Sequence, residues 1–159
     1  MAVWYEVEKT EDGIANFLDS NWGFHDFRIE TVSYDATNNA AEVFLKYDNG
    51  IEGVLIRFIG VSNVHINGII NDFDDWLQGT AMRVQKNGRF LCVTSDGYFP
   101  DSESSLNEFT WVESDRVIWA ITDADGKPVE MPQDRIDQVW ETWGKKEKKH
   151  FDLKECADV

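Results

Sequence analysis

Apolar and polar positions alternate along much of the chain, in short runs punctuated by clusters of Asn, Asp and Gly. Residues 3–8 alternate in the period of a strand. Thr10 then has the character of a helix N-cap, with Glu11 and Asp12 in the first turn, where carboxylates favour the helix dipole. Ile14, Phe17 and Leu18 follow at i, i+3 and i+4, and Asn21-Trp22-Gly23 ends that short helix. Residues 27–34 are rich in strand formers, but the apolar phase slips between Ile29 and Val32, which predicts a bulge or burial on both faces. After a turn at 35–39, Val43, Leu45 and Tyr47 alternate with Glu42, Phe44 and Lys46. Asp48-Asn49-Gly50 is a hairpin signal, because Asn-Gly accepts the positive φ of a tight turn. Residues 51–60 run back with apolar side chains on both faces, which predicts a central strand, and 63–68 begin another.

Two more hairpins are predicted. One pairs 80–85 with 89–94 across Lys86-Asn87-Gly88; the other pairs 109–112 with 117–121 across Glu113-Ser114-Asp115-Arg116. A polar loop over 95–105 separates them. Near the end, Ile136, Val139, Trp140 and Trp143 recur at helical spacing after Pro132, predicting a helix over 133–143 that Gly144 stops. The fold class is therefore α+β: a single domain over 1–144 dominated by antiparallel β-hairpins, as a twisted sheet or sandwich. A short N-terminal helix and a C-terminal amphipathic helix flank it. Residues 145–159 form a charged C-terminal tail.

Composition narrows the class. Of 159 residues, 42% are hydrophobic and 13% aromatic, enough to bury a core and too many for a disordered acidic tail. No apolar stretch approaches the ~18 residues of a membrane helix, and the N-terminus lacks the basic and apolar regions of a secretory signal. The expected location is cytoplasmic, with no membrane partner. Cys92 lies in an apolar strand pattern and Cys156 in the polar tail, an arrangement that favours two free thiols over a bridge and offers no zinc spacing. With 15 basic and 30 acidic side chains the net charge is −15, which repels nucleic acid. The cluster Lys145, Lys146, Lys148 and Lys149 is broken by Glu147 and followed by Asp152 and Glu155, as in a solvated helix end.

Two constellations carry candidate chemistry. In Trp22-Gly23-Phe24-His25-Asp26, a His beside an Asp supplies a base and its orienting carboxylate, or two metal ligands. Adjacent residues at a strand start point to opposite sides, however, and the apolar neighbours favour a structural role in which both tie the loop by hydrogen bonds. Asn71-Asp72-Phe73-Asp74-Asp75-Trp76 is the densest acidic cluster. It departs from the calcium-loop pattern, since Trp76 and Leu77 hold its fifth and sixth positions; Asp123-Ala124-Asp125-Gly126 departs likewise and reads as a turn. A solvated acidic surface is the simpler account of Asp72, Asp74 and Asp75. His65 alternates with Val64 and Ile66 as an ordinary strand residue. Phosphate-binding glycine loops and the nucleophile elbow do not occur. Trp111, Trp119, Trp140 and Trp143 fall on apolar stripes or paired strands and are assigned to the core. No cofactor or metal is expected.

The run Phe24-His25-Asp26-Phe27-Arg28-Ile29-Glu30-Thr31-Val32-Ser33-Tyr34-Asp35, followed by a hairpin and the apolar strand 54–59 with Gly60-Val61, resembles the opening of small β-rich bacterial domains of uncharacterised function. Some of these are grouped with immunity proteins of toxin systems. The resemblance spans roughly residues 24–70 and implies a single β-rich cytoplasmic domain without catalytic activity, in which His25 and Asp26 are signature positions.

The function expected is that of a non-enzymatic acidic binding protein that engages a basic partner, in the manner of an immunity protein neutralising a basic toxin domain. A strongly negative chain accelerates encounter with a cationic surface. His25, Asp26, Asp72, Asp74 and Asp75 are the candidate binding residues, with Trp76 as an aromatic anchor. Two alternatives stand beside it: an enzyme or metal-dependent site centred on His25 and Asp26, and a subunit of a homo-oligomer with its surplus aromatics at the interface.

Overall fold

The computed structural model describes residues 2–47, 52–66, 79–93, 99, 106–139 and 153–156. Eight strands form one antiparallel sheet: β1 (Tyr5–Glu6), β2 (Phe27–Asp35), β3 (Ala40–Tyr47), β4 (Gly53–His65), β5 (Ala81–Val84), β6 (Phe90–Val93), β7 (Trp111–Thr122) and β8 (Lys154–Glu155). Helix α1 (Glu11–Asp19) and a single 3-10 turn, Trp22–Phe24, link β1 to β2, and a second helix, α2, spans Gln133–Val139. The main order is β2-β3-β4-β7-β1-β8; β6 also lies against β7, and β5 against β6. One edge of β7 is thus fully taken by β4, while its other edge is shared between β6 near one end and β1 near the other.

Most of the expected strands appear where the pattern put them. The bulge predicted in the first long strand is a register shift between Ile29 and Thr31. β4 is central, flanked by β3 and β7, as its apolar faces required. Lys86-Asn87-Gly88 joins β5 to β6 as a three-residue loop, with the Gly88 amide donating to Gln85 O at 2.9 Å and Gly88 itself left-handed at φ +82°. Asp48-Asn49-Gly50 lies outside the described residues, although Lys46 pairs with Gly53 on either side of it. Of the expected C-terminal helix, the backbone of Gln133–Val139 is helical; Trp140, Trp143 and Gly144 are not among the described residues. In the stretch read as a charged tail, Lys154–Glu155 pairs with β1, and the Cys156 amide donates to Trp4 O at 2.8 Å.

The third hairpin does not exist. Glu113-Ser114-Asp115-Arg116, read as its turn, runs through the middle of the 12-residue strand β7. Nor do residues 63–65 start a new strand, because the 13-residue β4 continues to His65; Asn67 and Gly68 of the expected strand lie outside the described residues. The polar stretch marks a place where both strands change facing. Phe58 and Val117 are paired on the core face, and the next core-facing residues are Val61 on β4 and Ser114 on β7, each three positions along rather than two. Gly60 makes this possible at φ +69°, where a Cβ would stand 3.0 Å from that of Asp115. A register shift between Val61 and Asn63 completes the bend.

Each polar residue at the bend has a partner, which is why the strand tolerates them. Glu113 accepts from Ser62 Oγ at 2.5 Å and Gln85 Nε2 at 2.6 Å. Lys9 donates to Asp115 at 3.1 Å, Arg116 donates to Glu6 at 2.7 Å, and the Ser114 hydroxyl donates to the carbonyl of Arg116.

One face of the sheet holds the main core, capped by α1 and the 3-10 turn. Trp119 at its centre meets Tyr5 and Phe17, and from Phe17 ring contacts of 5.1–5.6 Å run through Phe24, Phe27 and Tyr47 to Trp22. The opposite face carries a smaller cluster of Trp4, Ile118 and Ala120, with the Arg57 guanidinium 4.3 Å from the Trp4 ring. Cys92 is fully buried, and its burial pushes the thiol up to about 12. Neither cysteine is in a disulfide.

Candidate functional site

Helix α1 is the element around which the candidate sites gather. Thr10 caps it as expected, its hydroxyl accepting the Gly13 amide at 2.9 Å. The chain leaves it through a run of left-handed residues: Trp22, Gly23, Phe24 and Asp26 have φ of 52°, 63°, 60° and 64°. Three of these are not glycine, so the surroundings must hold a conformation the isolated residues disfavour. They do so by burying Phe24 completely and stacking Trp22 on Tyr47.

The left-handed backbone changes the geometry of the His-Asp pair. The two side chains would diverge on an extended strand; here His25 Nδ1 and Asp26 Oδ2 meet at 3.1 Å. Their side chains are 60% and 52% exposed. The pair stands in solvent on a turn, outside the groove described below, and its charged partner is its own neighbour. Asp72, Asp74, Asp75 and Trp76 lie outside the described residues. Among the described residues no group of His, Cys, Asp and Glu is placed to hold a metal ion.

One position that sequence analysis passed over is Arg135, at the start of α2 and only 3% exposed. It donates to the Glu52 carboxylate, to Ser20 O at 2.9 Å and to Asn21 Oδ1 at 2.7 Å, and its guanidinium lies 4.8 Å from the Trp22 ring. Asn21, itself fully buried, donates to Phe17 O at 2.8 Å. Burial pulls the Arg135 guanidinium below its ordinary value, and the adjoining Glu52 opposes that shift. Tyr5 is raised, first by burial and then by the charges of Glu155 and Glu130, with Arg135 opposing. The partners of Arg135 are 83 to 115 positions away in sequence, so no local pattern marks them. Its chemistry is structural: it locks α2, the end of α1 and the base of the β3–β4 hairpin together.

The second unforeseen feature is a groove of about 680 Å³ between α1 and β5. Ile14 and Leu18 of α1 and Met82 and Val84 of β5 give it an apolar lining; Lys9, Glu11, Asp19 and Arg83 add charge. The helix periodicity placed Ile14 and Leu18 together on the apolar face of α1. A single signal for the groove was present in sequence, Ala15, whose small side chain leaves room on the flank of α1. The groove offers apolar contact, a strand edge and charged side chains.

No helix among the described residues is long and apolar enough to cross a membrane. No family model, curated protein or solved structure matches the chain.

Proposed function

We propose that this protein is a non-enzymatic binding domain that takes a basic protein partner, in the manner of an immunity protein against a cationic toxin domain. The observation that supports this reading is how its charges are spent. Lys9, Arg28, Arg57, Arg116, Arg135 and Lys154 each lie within 4 Å of a carboxylate of the same chain. These six cations are thus held against acids of their own chain, within a protein of net charge −15. Glu11 and Asp12 at the head of α1 are exposed and have no such partner among the described residues. A surface of uncompensated carboxylates steers a cationic partner and excludes anionic ones.

The test is capture from native lysate at low salt, with stepwise salt elution and mass spectrometry, followed by association kinetics on the captured protein. A basic protein whose on-rate falls steeply with ionic strength is the expected result. Capture of acidic or neutral partners only, or an on-rate indifferent to salt, would overturn the reading.

A further inference from the structure

The groove beside α1 has for one wall a strand edge that no other strand among the described residues pairs. In the β5–β6 hairpin, the Gln85 amide donates to Arg89 O at 2.9 Å, and Arg83 pairs with Leu91 and Ala81 with Val93. Antiparallel ladders alternate, so residues 81, 83 and 85 point their backbone groups toward β6, and 80, 82 and 84 point theirs outward. The first outward amide confirms the phase: Thr80 donates to Gly23 O at 2.8 Å, a carbonyl of the left-handed turn after α1. The next two, Met82 and Val84, both line the groove and face no strand among the described residues. Among the described residues the edge is thus capped at one end by Gly23, and its next two outward positions face no strand alongside the helix. Native edges are usually blunted by charge, bulge or cover; this one adjoins an open volume of about 680 Å³.

We infer that the groove binds an extended peptide segment as an added strand on β5, with alternating apolar and basic side chains. The backbone groups of Met82 and Val84 specify extended conformation and register. Leu18, Met82 and Val84 receive the apolar side chains. Charge sets the rest of the chemistry. The two cations of the lining are engaged elsewhere, Lys9 with Asp115 at 3.1 Å and Arg83 against the Phe99 ring at 4.4 Å. The helix wall is acidic, with Glu11 and Asp19 lining the groove and no basic residue in its last turn. Lys or Arg on the added strand therefore has the exposed Glu11 carboxylate beside it. This inference rests on the proposed preference for a basic partner, and supplies the place where part of that partner docks.

The experiment uses the full chain and a fluorescent, acetylated nonapeptide of alternating Lys and Val, titrated by anisotropy. Two companion peptides are compared with it: one N-methylated at alternate residues, which keeps charge and shape but removes the bonds to the edge, and one with Glu in place of Lys. Binding of the parent is expected to weaken about tenfold or more on N-methylation, which removes two or more edge hydrogen bonds. Ala15→Trp, which fills the groove without changing net charge, should abolish it. Hydrogen exchange on the wild-type complex supplies an arm independent of any variant's folding, with new protection expected at the Met82 and Val84 amides. Salt-sensitive binding of the Lys peptide that is indifferent to N-methylation and to Ala15→Trp would overturn the groove while leaving the acidic-surface reading intact. Equal, N-methylation-sensitive binding of the Glu peptide would keep the groove as a strand site and remove the basic preference. No binding of any peptide would overturn the inference.

Discussion

The two surroundings of α1 differ in how completely their hydrogen bonds are met. At its C-terminal end, Ser20, Asn21 and Arg135 are buried, and each makes the contacts its geometry allows: Arg135 reaches a carboxylate, a carbonyl and an amide oxygen, and Asn21 reaches back to Phe17. Along its flank, the helix faces a strand edge whose second and third outward positions find no strand among the described residues. The first region is closed because an ionised group removed from water must be fully paired to persist. The second lies beside a groove of about 680 Å³, in which solvent or a partner can meet backbone groups that no strand takes. A saturated polar cluster resists change; an unsaturated edge invites a partner.

The sharpest way to break this contrast is to unlock the closed side. Arg135→Ala should cost about 3 kcal/mol in chemical denaturation, since it strips partners from Glu52, Asn21 and Ser20 O at once. A loss no larger than that of an exposed ion pair would mean the cluster is not a lock. Asn21→Ala comes next at about 2 kcal/mol, because it leaves the buried Phe17 carbonyl and one arm of Arg135 unmet. Thr10→Ala, at the opposite end of the helix, should cost about 1 kcal/mol through its cap alone. Gly23→Ala isolates backbone strain: a Cβ there meets nothing within 4 Å, yet φ is +63°, so about 1 kcal/mol is expected from conformation only. Filling the open side is predicted to be cheapest, with Ala15→Trp changing stability by less than about 1 kcal/mol. A large loss there would show that the groove is part of the packed core.

Titration adds a finer test at the bend of β7. Hydrogen bonds from Ser62 and then Gln85 hold the Glu113 carboxyl below its ordinary 4.5. A lowered folded value means the unfolded chain takes up the proton first as pH falls. The stabilisation is therefore complete above about pH 4.5 and fades as pH drops through the folded value. Glu113→Gln should accordingly be less stable than wild type at neutral pH, with the gap closing in acid. Cys92 has the opposite sign. Its thiol stays neutral in the fold up to about 12 against an ordinary 9.0, so its contribution is intact below pH 9 and is lost as pH rises from there toward 12. In native protein, thiol reagents should label the half-buried Cys156 and spare Cys92.

Much of this was visible in single residues and their spacing. Thr10 announced the helix start, the slip between Ile29 and Val32 announced the bulge in β2, and Lys86-Asn87-Gly88 announced the tight hairpin. Each is a local device whose cause lies within a few positions of its effect. The turn predicted at 113–116 failed for a physical reason. Four polar residues in a row resemble a turn when strands are assumed to need apolar alternation, and here Ser62, Gln85, Lys9 and Glu6 supply partners from distant elements. The His-Asp pair was legible as residues, but not as a contact, because its meeting depends on Asp26 at φ 64°.

From the chain alone follow the antiparallel, β-dominated class, the capped helix, the central place of β4 and the strongly acidic surface, because alternation, caps and charge act over short range or by sheer sum. Only the tertiary structure decided that β7 runs unbroken through its polar stretch, that Arg135 closes one end of α1, and that an open strand edge lies along its flank. Those outcomes join residues tens of positions apart, and which partners meet is settled by the packing of the whole sheet rather than by any segment of it.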